Sequence, residues 1–249
     1  MEMKKEEHVV ANGTRSIYGN LFYSTDAEKK GVVILSHGYN GIGDDFDFEC
    51  TTFARNGYVA FAYDFCGGSV RSRSKGLKTT EMKISTEKED LLAVVEDISS
   101  LEVAKDLPIY LFGGSQGGFV TSLVLDELQD KVRAAALYYP ALNIPEDWRR
   151  NYKSVEDIPE ITDLMDMKLG RAFFEEIRDF YTFEHIGTFK NPIMIVYGDQ
   201  DALVPRSVID QAIETFEKSE LVILEGEGHG FTPKGCEMAM KHIIEFFEK

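Results

Sequence analysis

The sequence predicts an α/β fold, a mostly parallel central sheet with helices on both faces. Two observations carry that prediction. Six short apolar runs alternate with longer segments of helical periodicity, and the runs are apolar at consecutive positions rather than at every second one. A strand needs apolar residues on both sides only when helices cover both of its faces.

The runs are Val32–Leu35, Tyr58–Tyr63, Ile109–Phe112, Ala134–Tyr139, Ile193–Tyr197 and Leu221–Leu224. Residues 16–23 alternate instead, as an edge strand of a hairpin would. Between the runs, Leu91, Leu92, Val94, Val95 and Ile98 form one face of a helix over 86–104, and Thr86 with Glu89 resembles a capping box at its start. Further helices are expected at 116–128, 208–216 and 237–247.

One interval breaks the rhythm. Residues of about 141–190, between the fourth and fifth runs, are too long for a simple crossover and too rich in Trp, Tyr, Phe and Met for a disordered linker. They are expected to form an inserted, mainly helical cap within a single domain spanning 1–249.

Acidic residues outnumber basic ones by 43 to 27, for a formal charge of −16. Such a surface repels nucleic-acid phosphates and anionic lipid headgroups, so neither nucleic acid nor a membrane is an expected partner. Arg71, Arg73, Lys75 and Lys78 form a small basic stretch, expected to be a solvated loop. Cys50, Cys66 and Cys236 are odd in number and widely spaced, which suits reduced thiols better than a disulfide framework or a zinc site. The first residues lack the apolar run of a signal peptide, and a cytoplasmic location is expected. No metal and no cofactor is expected. The oligomeric state stays open, a homodimer included.

The chemistry concentrates in four short loops. Gly113-Gly114-Ser115-Gln116-Gly117 follows a predicted strand and precedes a predicted helix. A serine projected from so sharp a turn occupies a strained backbone position, which requires small neighbours on both sides. The helix after it directs free N–H groups and a positive dipole end at the site. A serine hydroxyl also needs a base. His229, between Gly228 and Gly230 after the last predicted strand, is the best placed of the five histidines. An acid must orient that imidazole. Asp199 or Asp201, in Gly198-Asp199-Gln200-Asp201, could serve; Asp201 is favoured because it lies further out on the loop, leaving Asp199 to brace the turn. Two backbone N–H groups for an oxyanion are expected from Gln116 and from Tyr39, in the loop His37-Gly38-Tyr39-Asn40-Gly41. His37 itself is expected to be a packed structural histidine.

These loops resemble those of the α/β-hydrolase superfamily, whose members show the His-Gly-x-x-Gly loop, the Ser-Gln-Gly-Gly elbow, the Gly-Asp-x-Asp acid loop and the Gly-His base loop in this chain order. The resemblance covers nearly the whole chain and implies an α/β-hydrolase fold and a serine esterase. Within the superfamily, Ser115-Gln116-Gly117-Gly118 with a cap of this size is most similar to bacterial feruloyl (cinnamoyl) esterases. Monoacylglycerol lipases and other small carboxylesterases share most of it. In feruloyl esterases the cap lies over the pocket and binds the phenolic ring. Trp148 and Tyr152 are the candidate substrate-binding residues here. Two departures stand out. Gly114 replaces a frequent histidine and is expected to loosen packing behind the elbow, and Phe65-Cys66-Gly67-Gly68-Ser69 replaces the usual x-x-Gly-His-Gly-x-Ser.

The function this implies is hydrolysis of a small-molecule carboxylic ester through an acyl-enzyme, with a hydroxycinnamoyl (feruloyl-type) ester as the leading substrate class. A monoacylglycerol lipase, thioesterase or acyltransferase on the same fold is the alternative, and a non-catalytic binding protein is the alternative of another class.

Overall fold

The structure, a computed structural model, describes residues 2–249. Its centre is an eight-stranded sheet. In chain order the strands are β1 (Met3–Asn12), β2 (Arg15–Ser24), β3 (Gly31–Ser36), β4 (Tyr58–Tyr63), β5 (Ile109–Gly114), β6 (Val132–Tyr138), β9 (Ile193–Gly198) and β10 (Ser219–Leu224). A separate hairpin pairs β7 (Ile161–Leu164) with β8 (Met167–Gly170). The spatial order is β1-β2-β4-β3-β5-β6-β9-β10; β1, β2 and β4 pair antiparallel, and every pairing from β4 to β10 is parallel. This is the α/β-hydrolase architecture.

Among the described residues the α-helices are α1 (Asp47–Arg55), α2 (Ile84–Ser100), α3 (Gln116–Val124), α4 (Ile144–Asn151), α5 (Arg171–Arg178), α6 (Arg206–Thr215) and α7 (Pro233–Phe247). They cover both faces, which explains the unbroken apolar runs. Along β3, Val32 and Ile34 join the core that takes Leu91, Val95 and Ile98 from α2, Phe119 and Val120 from α3, and Ile209 from α6. Val33 and Leu35 join the opposite core, with Phe53 from α1 and Ile243 and Phe247 from α7. Burying each such large apolar side chain contributes ~1.5–3 kcal/mol.

All six apolar runs fall on sheet strands, with Tyr139 alone standing just past the end of β6. Residues 16–23 lie in β2, but that strand is not the edge: β1 pairs with it from Met3–Ser24 to Asn12–Arg15 and takes the outer position. The charges of β1 hide this strand from an apolar-run reading. Helix α2 starts earlier than expected. Its N-cap is Lys83, whose N–H donates to the Thr86 hydroxyl at 2.9 Å, while Glu89 pairs instead with Arg15. Helix α1, outside the expected helices, buries Glu49, Cys50, Phe53 and Ala54.

The basic stretch is not simply solvated. Arg73 donates through Nε and Nη2 to the two oxygens of Asp64 at 2.9 and 2.8 Å, and through Nη1 to Asp44 at 2.8 Å. Its guanidinium also lies over the Tyr18 ring, 4.2 Å from the centroid. Burial alone would favour protonated Asp64, but Arg73 and the Gly43 amide hold its carboxyl below the usual value. The pair ties the loop after β4 to the one after β3.

Between β6 and β9 the chain contains α4 and α5 and, against expectation, the β7–β8 hairpin. Met165 and Asp166 at its tip have φ of +46° and +63°, the left-handed backbone that a two-residue hairpin turn requires. Neither residue is the glycine or asparagine that would have signalled it. The three cysteines are free. Among the described residues, no helix is long and apolar enough to cross a membrane.

Candidate active site

Sheet order positions the site. From β3 the chain passes to β4 on one side and later to β5 on the other, so the loops leaving the carboxyl ends of β3 and β5 diverge and open a crevice. The loop 37–41 leaves β3 there, Ser115 follows β5, Asp201 follows β9 and His229 follows β10.

Ser115 links the last residue of β5 to the first of α3 with φ +52° and ψ −118°, a strained combination for a residue with a side chain. Two glycines make the turn sterically feasible. A Cβ on Gly113 would lie 2.5 Å from the Gly117 carbonyl oxygen, and one on Gly117 would lie 2.2 Å from that of Ser36. Gly114 does not leave the loose space expected behind the elbow. Phe46 fills it, its Cζ lying 3.0 Å from where a Cβ would stand.

The three side chains form a continuous hydrogen-bonded chain. His229 Nδ1 is 2.9 Å from Asp201 Oδ2, and His229 Nε2 is 2.8 Å from Ser115 Oγ. A carboxylate can only accept, so Nδ1 carries the proton and Nε2 is left with a lone pair facing the serine hydroxyl. That is the tautomer in which the imidazole can take the Ser115 proton. The other oxygen of Asp201 accepts from the Leu203 and Val204 amides at 2.8 and 2.9 Å. Burial opposes the charge on Asp201, yet His229 and these two amides outweigh it and hold the carboxyl below its usual value. Asp199 accepts from the Gly226 amide at 2.7 Å and braces the turn.

Gln116 opens α3, where the first N–H groups of a helix have no intrahelical acceptor. The loop carrying Tyr39 runs close to Ser115, since a Cβ on Gly38 would stand 3.2 Å from Ser115 Cβ. Gln116 and Tyr39 both line the cavity. His37 is buried and structural: its Nδ1–H donates to the Gly38 carbonyl at 2.7 Å, and its Nε2 accepts from the Phe65 amide at 3.0 Å. Burial pushes its pKa down, which suits this neutral, accepting role.

Above Ser115 lies a cavity of about 450 Å³. Trp148 lines it, but Tyr152 does not. The Tyr152 ring stacks on Trp148 with centroids 5.6 Å apart, and its hydroxyl bonds Thr162 at 3.2 Å. It is therefore a support for Trp148 rather than part of the wall. Sequence reasoning missed Phe46, Tyr139, Ile144, Asp147, Leu164, Met165 and Phe173, which also line the cavity. Helical spacing could have found two of these, because Ile144, Asp147 and Trp148 share one face of α4. Tyr139 directly follows β6, where the sheet ends at the crevice. Its ring lies 4.6 Å from that of His229.

Residues 27–178 match the family model described as serine aminopeptidase, S33. The chain belongs to that family of α/β-hydrolases. Residues 182–249 match a second model, described as TAP-like protein. The chain is similar to caffeoylshikimate esterase of Arabidopsis thaliana, with 30% identity over 161 residues. That alignment takes in 59% of this chain and 47% of the relative, so the match spans about half the length of the plant protein. Est1E of Butyrivibrio proteoclasticus, solved with ferulic acid bound, has the same fold, with a TM-score of 0.86, 24% identity, and coverage of 96% of this chain and 97% of that one. A dienelactone hydrolase from Anabaena variabilis superposes with a TM-score of 0.73 at 15% identity, over 100% and 98% of the two chains.

Proposed function

We propose that this hydrolase is a serine carboxylic-ester hydrolase working through an acyl-enzyme on Ser115, with hydroxycinnamoyl (feruloyl-type) or other small esters as substrates. The observation that carries the proposal is the pair of hydrogen bonds, 2.9 and 2.8 Å, that joins Asp201 to Ser115 through a correctly protonated His229.

The chemistry follows from that pair. Ser115 Oγ attacks the ester carbonyl while His229 Nε2 takes its proton, and Asp201 stabilises the imidazolium. The tetrahedral oxyanion accepts from the Gln116 and Tyr39 amides. His229 then returns the proton to the leaving alcohol, and water repeats the sequence on the acyl-enzyme.

In this reading the segment 141–190 is a cap over the acyl pocket. Ala141, Ile144, Trp148, Leu164, Met165 and Phe173 of that segment all line the cavity, which supports it. Their apolar and aromatic character suits a planar aromatic acyl group. The names of the plant relative and of the ligand held by Est1E support the same substrate class. Free thiols at Cys50, Cys66 and Cys236 support a reducing compartment such as the cytoplasm.

A hydrolysis panel tests the proposal: methyl ferulate, p-nitrophenyl esters of rising chain length, a monoacylglycerol and an aminoacyl anilide, each with the wild type and Ser115→Ala. Methyl ferulate and short esters should be turned over by the wild type alone. Faster cleavage of the anilide or the monoacylglycerol would move the substrate class.

A further inference from the structure

The first turn of α2 carries a carboxyl that this mechanism leaves unused. Glu87 is 1% exposed and Gln116 is 2% exposed. Gln116 Nε2 donates to Glu87 Oε2 at 2.9 Å, a side-chain bond joining two helices across 29 positions of sequence. Gly68 lets the loop after β4 close over the other oxygen, since a Cβ there would stand 3.1 Å from Glu87 Oε1.

Among the described residues no cation pairs with Glu87. The nearest charged neighbours are acids, Asp90 one turn along α2 and Glu176 on α5. Arg15 serves Asp90 instead, and Lys83 stands 3.5 Å from Glu176. The other ionisable groups packed around it are neutral at pH 7: Tyr39 and His37 from the loop after β3, and Tyr63 from β4. Burying a bare carboxylate in such surroundings is costly, so the group is held in its acid form. Burial first, then Asp90 and Glu176, push its pKa up to about 8 against the opposing Gln116 bond.

We propose that Glu87 is a positioning residue for the oxyanion hole: it anchors the Gln116 side chain and thereby fixes the direction of the Gln116 amide. This rests on the serine-esterase reading above. The need for an anchor is local. Gln116 follows a residue whose φ and ψ, +52° and −118°, lie outside the helical range, so the first turn of α3 does not inherit its direction from the preceding backbone. The side-chain bond to a second helix, whose apolar face packs into the core, supplies it. A neutral carboxyl does this without setting a negative charge against the developing oxyanion.

The test uses the full-length enzyme with Glu87→Ala and Glu87→Gln, assayed from pH 6 to 9.5 on a p-nitrophenyl ester. Loss of one oxyanion donor costs ~10²–10³ in kcat in a serine protease. An amide that is only misdirected should cost Glu87→Ala about 10- to 100-fold in kcat with KM little changed, the signature of an interaction made in the transition state. Glu87→Gln keeps an acceptor for Gln116 without a titrating proton, so it should stay within about threefold of wild type at pH 7. The wild-type kcat should fall as pH rises through about 8, and Glu87→Gln should lack that fall. A fall that survives in Glu87→Gln overturns the inference, as does a folded Glu87→Ala with wild-type kcat. Should Glu87→Ala fail to fold, the pH profile of Glu87→Gln decides alone. Ser115→Ala, run alongside, separates the two claims. If it is inactive while both Glu87 variants behave as wild type, only the positioning role is lost; if it stays active, the serine-esterase reading fails and takes this inference with it.

Discussion

Tyr39 donates its phenolic hydroxyl to the carbonyl oxygen of Leu164 at 2.9 Å, across 125 positions of sequence. One residue thereby ties the loop after β3 to the hairpin that forms part of the cavity wall. Asn40 adds a second tie, from its Nδ2 to the Met165 carbonyl at 3.2 Å. Tyr39→Phe removes the first bond and leaves the Tyr39 amide in place. A net hydrogen bond of ~1 kcal/mol corresponds to about fivefold. We expect kcat/KM for methyl ferulate to fall by about that factor, and that for p-nitrophenyl acetate, which does not reach the hairpin, to change by less than about twofold. Equal losses on both esters would show that the tie serves the oxyanion loop and not the acyl pocket.

The two aspartates of the acid loop should behave differently. The Asp201 carboxylate bonds His229, whereas the Asp199 carboxylate accepts from the Gly226 amide. Asp201→Asn should lower kcat by about 10⁴-fold, the cost of the wrong imidazole tautomer in a serine protease. Asp199→Asn should change kcat little and thermal stability modestly. Steady-state kinetics on the folded variants would read this directly, and the reverse ranking would move the acid to Asp199.

Trp148 lines the cavity and Tyr152 stacks on it without doing so. Trp148→Ala should therefore shift the ratio of kcat/KM between aromatic and short aliphatic esters by ~10–200-fold, the range for an apolar specificity contact. Tyr152→Ala should shift it in the same direction by less. A larger effect of Tyr152 would mean that the cavity wall in the working enzyme differs from the one described.

Glu49, on α1, is buried beside Cys236, and burial pushes its carboxyl up to about 7 from 4.5. A folded state that binds a proton more tightly than the unfolded state gains stability from it below the unfolded pKa. That gain is lost as pH rises through the folded value. Glu49→Gln, always neutral, should thus raise Tm at pH 8 but not at pH 4, below the unfolded value. The shift corresponds to at most about 3 kcal/mol, or a gain of several degrees for a chain of this size. Calorimetry at the two pH values measures it, and a Tm change independent of pH would exclude the ionisation of Glu49 as the cause.

The parts of this protein legible in its sequence are those where one local rule dominates. Ser115 and its glycines follow from the steric demands of a strand-to-helix turn, and the core strands follow from being covered on both faces. Elements whose reason lies elsewhere in the chain were hidden. Strand β1 is highly charged and owes its place to ten consecutive pairings with β2. The turn at Met165 and Asp166 carries no turn signature, and its hairpin is instead pinned from outside by Tyr39 and Asn40. Arg73 reads as one basic residue among several until Asp64 and Asp44 are brought to it. Tyr152 illustrates the same limit from the other side, since its aromatic character is plain but the stacking that turns it away from the cavity is tertiary.

The proposed activity depends on acylation of Ser115, and the covalent intermediate can be trapped. The enzyme is mixed with an excess of p-nitrophenyl ferulate, quenched in acid within the first turnovers, digested and analysed by peptide mass spectrometry. One feruloyl group per chain is expected on the peptide containing Ser115, with a matching burst of p-nitrophenol, and neither in Ser115→Ala. A feruloyl group found on another residue, or burst and label both retained in Ser115→Ala, would contradict it.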